Sequence, residues 1–339
     1  MLEIDGEEGG GQILRSSLAL AAITERSVRV TNIRGNRPEP GLKPQHLAVV
    51  ETLEEITAAT VSGATTGAEE ITFEPGTPTG GHVTAEIGTA GSISLLFDAV
   101  APLAVTLEEP LAVTATGGTE VKWSPPLATH QRVKLPLCRQ FGLQAALERY
   151  RTGFYPAGGG RGTLHLAPSS LSPLSLANRG TFLGARIYSY ESTDLGDSEV
   201  ARRQAVTARD RLEDRDLAVF ATHTVSAETR STGSALVIEL QYEHSRVGFD
   251  ALGEPGLPAE EVAASAVEET LDFHDSSPPP VVDRHLADQL LVFLALAGGE
   301  IRIPELTDHV TSSLSLLDRF GFDLQVDRSA AVPSVSAEK

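Results

Sequence analysis

The sequence predicts an α/β (α+β) fold in which a core of repeated units carries a smaller inserted α/β domain. Three observations predict it. Hydrophobic periodicity alternates between strand-like and helix-like stretches from the first residue onward. The order of these stretches recurs along the chain. Finally, the spacing between the later matching segments is too long by about the length of a small domain, within a chain of 339 residues that exceeds one ordinary core.

The first unit reads as a strand over residues 1–5, an apolar helix over 12–24, a strand over 27–33, an amphipathic helix over 44–58, and two strands over 60–63 and 70–74. The same order returns with a strand over 82–87, a helix over 92–107, a strand over 111–116, a helix over 126–141, and strands over 143–149 and 162–167. A third copy is partial, with a helix over 284–297, a strand over 300–303, a helix over 308–320 and a strand over 323–326. Its end, Asp318-Arg319-Phe320-Gly321-Phe322, matches Arg139-Gln140-Phe141-Gly142-Leu143 of the second copy. The surplus between them places an insert at residues 181–276, with strands over 182–190 and 235–242 and helices over 200–212 and 258–271. Ser276-Ser277-Pro278-Pro279-Pro280 is its exit linker. The expected core is therefore 1–180 plus 277–328, followed by a flexible tail over 329–339, where the sequence turns small and polar.

Composition narrows the class. At 41 % hydrophobic residues and without an apolar run long enough to cross a bilayer, the chain reads as soluble and globular. Its acidic, strand-like start does not read as a targeting segment, so a cytoplasmic location is expected. The single cysteine, Cys138, excludes an internal disulfide and any multi-cysteine metal site, and its apolar neighbours predict a buried thiol. The formal charge is −19, and only four of the 27 basic residues are lysine. An acid-coated, lysine-poor surface predicts a halophile, although a merely acidic protein would have the same composition. In molar salt the Debye length is about 3 Å, so net charge does not exclude a polyanionic substrate.

Three segments carry candidate chemistry. The loop Glu7-Glu8-Gly9-Gly10-Gly11-Gln12 separates a strand from an apolar helix. Its glycines allow backbone amides to approach a phosphate, and the helix start behind them adds positive potential. It lacks the Gly-Lys-Ser/Thr of a P-loop, and such a turn is often only a turn. Arg15 follows one helical turn later, and Arg34 and Arg37 follow the next strand. If the strand ends converge, these guanidinium forks suit phosphate oxygens; the alternative is pairing with neighbouring carboxylates.

The second segment is Leu306-Thr307-Asp308-His309-Val310, where Thr307 or Asp308 caps a helix and places His309 in its first turn. A helix N-terminus disfavours the imidazolium and attracts phosphate, so it suits a neutral imidazole that attacks phosphorus. A histidine at a helix start is more often structural. His46, His82, His130, His165, His223, His244 and His274 show no comparable setting. In the third segment, Asp283-Arg284-His285-Leu286-Ala287-Asp288-Gln289, polar groups lead into an apolar helix; they either orient an imidazole and a nucleotide or only cap the helix.

Taken in order, these segments resemble the RNA 3'-terminal phosphate cyclase family across nearly the whole chain. The resemblance is carried by Asp5-Gly6, Glu8-Gly9-Gly10-Gly11-Gln12-Ile13-Leu14-Arg15, Ile33-Arg34 through Arg37, Pro40-Gly41-Leu42 and Gln45-His46. It continues through Gly88-Thr89-Ala90-Gly91-Ser92, Gly117-Gly118-Thr119, Gly153-Phe154-Tyr155-Pro156-Ala157-Gly158-Gly159-Gly160, Leu286-Ala287-Asp288-Gln289 and His309. The resemblance implies a core of three βαβαββ-type repeats with a small inserted α/β domain. It also implies ATP as co-substrate, a divalent metal (Mg or Mn), and RNA with a 3'-terminal phosphate as partner; no membrane is expected from the composition, and no obligate protein partner is inferred.

By the same resemblance, His309 attacks the ATP α-phosphate and carries AMP, AMP passes to the RNA 3'-phosphate, and the vicinal 2'-OH displaces it to leave a 2',3'-cyclic phosphate. Glu8 stands at the metal-contacting position, and Arg15, Arg34, Arg37 and Gln45 at phosphate-binding positions. Asp98, Pro125, Arg284, His285, Leu286, Ala287, Asp288 and Gln289 stand where ATP or AMP is bound. Asp98 replaces a usual glutamine, and His285 an aromatic tyrosine that would stack on adenine. Two other readings stay open: a catalytically silent RNA-processing relative, and an enolpyruvyl-transferase-like enzyme of similar repeat architecture.

Overall fold

The computed structural model describes residues 1–7 and 9–338. The first strand forms as β1 (Leu2–Asp5) and feeds α1 (Gly11–Thr24), after which β2 (Val28–Thr31) lies parallel to β1 with Leu2 opposite Val28. Pro44, with no N–H to lose, starts α2 (Pro44–Thr57), and β3 (Thr60–Ser62) and β4 (Ile71–Glu74) return antiparallel. The sheet order is β1-β2-β4-β3. Leu14, Leu18, Leu20, Ala21 and Ala22 of α1 are buried because this helix touches α2 on one side and helices of the next two sheets on the others.

The second sheet contains β5 (Gly81–Glu86), followed by α3 (Ile93–Val100) and β6 (Leu111–Gly117). Sequence periodicity predicts one helix over 92–107, but α3 gives way to a 3-10 turn over Ala101–Val105. Pro102 supplies no N–H for the α-helical ladder there. Likewise the helix expected over 126–141 is α4 (Leu127–Thr129), one widened π-type turn (His130–Lys134) and α5 (Leu135–Arg139), interrupted where Pro136 lacks its donor. β7 (Ala145–Arg151) and β8 (Gly160–Leu166) complete the order β5-β6-β8-β7.

β9 (Leu174–Leu176) opens a third sheet and is left waiting while the chain builds another body. That body contains β10 (Phe182–Ser192), α6 (Val200–Glu213), β11 (Val219–Ala227), β12 (Ser234–Tyr242), β13 (Arg246–Leu252) and α7 (Ala259–Asp275). Its sheet order is β11-β10-β12-β13. Both helices pack on one face around Ile187, Leu212, Leu236 and Ile238. The other face sets Tyr188, Tyr190 and Val237 against Ala128 and Phe154, so this body has its own core and a second apolar seam with the rest.

The chain then returns through α8 (Arg284–Gln289), α9 (Leu291–Ala297), β14 (Gly299–Arg302), α10 (Asp308–Phe320), β15 (Leu324–Asp327) and β16 (Ser334–Ala337). The sheet order is β15-β16-β14-β9. The flexible tail expected over 329–339 is corrected here: β16 lies antiparallel between β14 and β15, with Val335 fully buried. Four residues of alternating Ser-Val-Ser-Ala are too short to signal a strand, but β14 and β15 would otherwise present unpaired backbone to each other. Helices of all three core sheets share one apolar core. Among the described residues no helix is long and apolar enough to cross a membrane.

Candidate active site

Parallel strands β1 and β2 end side by side, so the loops that leave them meet at one sheet edge, the usual ligand crevice of such sheets. They are knit together: Gly6 N–H donates to Thr31 O at 2.8 Å, and Arg34 N–H donates to Gly6 O at 3.0 Å. Gly9 and Gly10 take positive φ of 77° and 58°, which leads the backbone sharply into α1. A Cβ on Gly11 would lie 2.2 Å from His46 Nε2, so only glycine admits the imidazole at this helix start. The loops and helix starts border a cleft of about 930 Å³.

Three arginines face this cleft from the two loops and α1. Arg15 lines it one turn into α1, where burial lowers its pKa against the pull of Asp98 and Asp288. Arg34 sits in the left-handed region at φ 58°, a backbone state costing about 1–3 kcal/mol, and its Nη1 donates to the carbonyls of Glu39 and Gly41 at 2.9 and 3.0 Å. Burial, then the neighbouring Arg37, lowers its pKa. Arg37 is exposed, and its guanidinium lies against Gly10. Among the described residues none of the three makes a carboxylate ion pair. An anion entering the cleft would offset the burial that opposes the charge of Arg15 and Arg34.

His309 enters from the opposite side. Thr307 Oγ1 accepts Val310 N–H at 3.1 Å and caps α10, while Asp308 and His309 follow exposed in the first turn and His309 lines the cleft. Gln12 holds the walls together: its Nε2 donates to Asp288 Oδ2 and Ser313 Oγ, both at 2.8 Å. Burial raises the Asp288 pKa despite His309, Lys134 and His285 nearby. Asp283 caps α8 by accepting His285 N–H at 2.9 Å and Leu286 N–H at 2.8 Å, which presents His285, Asp288 and Gln289 to the cleft. Gln45 joins them, its Oε1 taking Ser92 N–H at 3.2 Å, and Pro125 lies on the rim.

Not every expected residue arrives. Glu8 lies outside the described residues. Leu286 and Ala287 are buried in the common core, and Arg284 pairs at the surface with Glu305 at 3.2 Å. Asp98 is absent from the cleft lining but borders a small adjoining pocket of about 80 Å³ that shares Gln12, Arg15 and Asp288 with the cleft, and turns its carboxylate to Lys134 at 2.6 Å and His130 at 3.0 Å. Burial opposes ionisation of Asp98, but these two partners outweigh it and hold the carboxyl well below the ordinary range. Its charge is thereby met by Lys134. Among the described residues no group of three or more His, Cys, Asp or Glu side chains is placed to hold a metal ion.

Two residues of the cleft carried no assignment from sequence. His46 is buried, and Lys43 N–H donates to its Nδ1 at 3.1 Å, so the neutral ring carries its proton on Nε2, toward Gly11. Burial, then Arg15 and Arg34, lowers its pKa to about 3. Its place beside Gln45 in a Gln-His pair was the only available signal. Asp250 comes from β13 of the separate body, and burial, then Glu269 and Asp283, raises its carboxyl to about 7. Nothing in the sequence marked that strand.

A family model described as RNA 3'-terminal phosphate cyclase matches residues 6–326 of this chain. Among curated relatives, an RNA 3'-terminal phosphate cyclase of Halobacterium salinarum is 42 % identical over 338 residues, covering 96 % of each chain. That of Pyrococcus furiosus is 38 % identical, covering 94 % of this chain and 93 % of its own. That of Pseudomonas fluorescens is 37 % identical, covering 94 % and 92 %.

Proposed function

The chain belongs to the RNA 3'-terminal phosphate cyclase family, and from that premise we propose that it makes RNA 2',3'-cyclic phosphate ends through a covalent AMP on His309. Its activity is that of an RNA 3'-terminal phosphate cyclase with ATP as co-substrate. One observation supports the proposed route above others: an exposed imidazole at a capped helix start faces three arginines that have no carboxylate partner among the described residues.

An imidazole nitrogen of His309 attacks the α-phosphorus of ATP, forming a P–N bond as the bond to the bridging oxygen breaks and pyrophosphate leaves. An oxygen of the RNA 3'-phosphate then attacks the same phosphorus, and the P–N electron pair returns to the imidazole. The vicinal 2'-OH attacks the 3'-phosphorus, gives up its proton, and expels AMP. Each step moves negative charge onto phosphoryl oxygens, and Arg15, Arg34, Arg37 and Gln45 stand ready for it without reorganisation. His46 adds an Nε2–H donor to the same glycine-lined wall. Pro125, His285, Asp288 and Gln289 border the nucleoside, with the His285 imidazole as its stacking surface.

A magnesium or manganese ion held chiefly by substrate phosphates needs only one or two protein carboxylates. Glu8 is the proposed protein ligand, and the ion would neutralise phosphate charge. We read the three core sheets as copies of one βαβαββ unit, because their strand orders correspond, and residues 181–276 as a separate insert, because they carry their own core. We place the enzyme in the cytoplasm.

His309→Ala tests the route. Intact mass after incubation with ATP and magnesium should rise by one AMP in the native protein and stay unchanged in the variant, with circular dichroism the same for both. A variant that still gains AMP would sink the assignment. A native protein that gains none would favour a silent relative or an enolpyruvyl-transferase-like enzyme. The acidic surface and the likeness to a Halobacterium protein support a halophile: activity should rise toward molar KCl as self-repulsion of the −19 charge is screened. A protein fully folded and most active in dilute buffer overturns that part.

A further inference from the structure

A second cavity, of about 1200 Å³, opens off the cleft; Lys43, Thr89 and Trp123 line both. One wall belongs to the core, and the other to residues 231–234 and 252–255 of the inserted body. Two aromatic side chains stand on it without a packing reason. Trp123 is 93 % exposed on a backbone at φ 61°, where a bulky residue is strained, and Tyr155 is 67 % exposed. The neighbouring Phe154 is buried against Gly233 and already fixes the Tyr155 loop to the inserted body, so folding does not account for Tyr155.

The cations on this wall are as selective as the aromatics. The chain has four lysines; Lys134 is buried and Lys339 lies outside the described residues, which leaves Lys43 and Lys122, and both line this cavity. Among the described residues each is paired with an accessible carboxylate, Lys43 with Glu39 at 2.5 Å and Lys122 with Glu254 at 2.7 Å. Such exposed pairs are weak, and a phosphodiester can replace the carboxylate at little cost.

We propose that this groove is the track for the single-stranded RNA lying 5' of the terminal phosphate, with Trp123 and Tyr155 as stacking platforms for its bases and Lys43 and Lys122 at its backbone. The inference rests on the cyclase reading, which puts the 3'-phosphate in the cleft and obliges the rest of the RNA to leave it; the groove is contiguous with that cleft. Every base has a π face, so stacking on exposed rings accepts any sequence, as an enzyme acting on RNA ends requires. The inserted body gains a function as the outer wall of the track.

The test uses the full chain and two substrates, a decaribonucleotide and a dinucleotide, each ending in a 3'-phosphate. Tyr155→Ala should raise the KM of the decamer roughly tenfold, the scale expected for losing one stacked base, and leave the dinucleotide KM within about twofold. Tyr155→Phe should restore the native value, and the rate of AMP attachment should not change in either variant. A decamer KM that Tyr155→Ala leaves unmoved, or raises equally with that of the dinucleotide, overturns the proposal. Trp123 is the only tryptophan, so its fluorescence reads the groove directly. A decamer ending in a 3'-hydroxyl, added without ATP, should quench it, and Tyr155→Ala should shift the titration roughly tenfold; absence of quenching also overturns the track. Failure of the native protein to take up AMP would instead defeat the cyclase route, while the quenching still decides the groove.

Discussion

In the body over residues 182–275 several arginines meet carboxylates, whereas among the described residues those lining the cleft do not. In the inserted body Arg186 and Arg246 both donate to buried Glu239, at 3.4 and 2.6 Å, and Tyr188 OH adds a third bond at 3.1 Å. Arg203 meets Glu260 at 2.7 Å, and Arg215 meets Asp275 at 2.7 Å. In the cleft Arg15, Arg34 and Arg37 have no such partner among the described residues, although the chain carries 46 acidic residues against 27 basic ones. Other arginines, such as Arg209 and Arg211 of α6, also lack an ion pair among the described residues, so it is the convergence of Arg15, Arg34 and Arg37 on one cleft that sets them apart.

The contrast breaks most visibly at its buried end. Glu239→Ala removes the buried carboxylate shared by Arg186, Arg246 and Tyr188 OH, and should lower unfolding stability by about 3 kcal/mol, since removing one partner of a buried network is strongly destabilising. Urea unfolding measures it, and an unchanged midpoint would mean that the network is ornamental. Arg37→Ala should do the reverse. A charge-assisted hydrogen bond contributes about 1.5–3 kcal/mol, so turnover of ATP and RNA should fall roughly 10- to 150-fold while the melting temperature stays put. Equal activity would return Arg37 to the class of surface charges.

A further effect on stability, spread over several pH units, should appear in acid. His46 is buried beside cations with a pKa of about 3, whereas the unfolded chain titrates near 6.5. Its folded pKa is depressed, so below about pH 6.5 the unfolded state binds a proton that the native state refuses. Stability is then fully present above that pH and lost as pH falls toward 3, by up to about 1.4 kcal/mol per pH unit from this residue. His46→Gln should make the stability profile shallower between pH 6.5 and 3, and an unchanged slope would contradict the burial reading. Smallest of all, Arg203→Ala in the inserted body should leave both activity and melting temperature unchanged, because its pair with Glu260 is solvent-screened. A measurable loss there would erase the contrast between the two regions.

Where elements carried long periodic patterns, their existence and order were legible in the chain. α1 and α10 follow from apolar stripes with capping or glycine signals at their starts, and β1, β2, β5 and β6 from alternation. β9, β11, β13 and β16 were not legible, because short or mixed strands form only when a neighbour supplies the other half of their hydrogen bonds. The same division holds for the site. The glycine loop, the arginines and the helix-start histidine stand in local patterns that follow from backbone geometry and helix electrostatics.

By itself, then, the sequence determined which residues sit at strand ends and helix starts, since those places depend on neighbours within a few positions. Only the tertiary structure decided that β1 and β2 end side by side, that Gly11 leaves room for His46, and that Asp98 turns to Lys134 instead of the cleft. It alone also brought Asp250, from a strand of the inserted body, to the same wall. These outcomes depend on which distant groups compete for one buried volume, and burial decides at once which charges are paired and which are left facing the ligand.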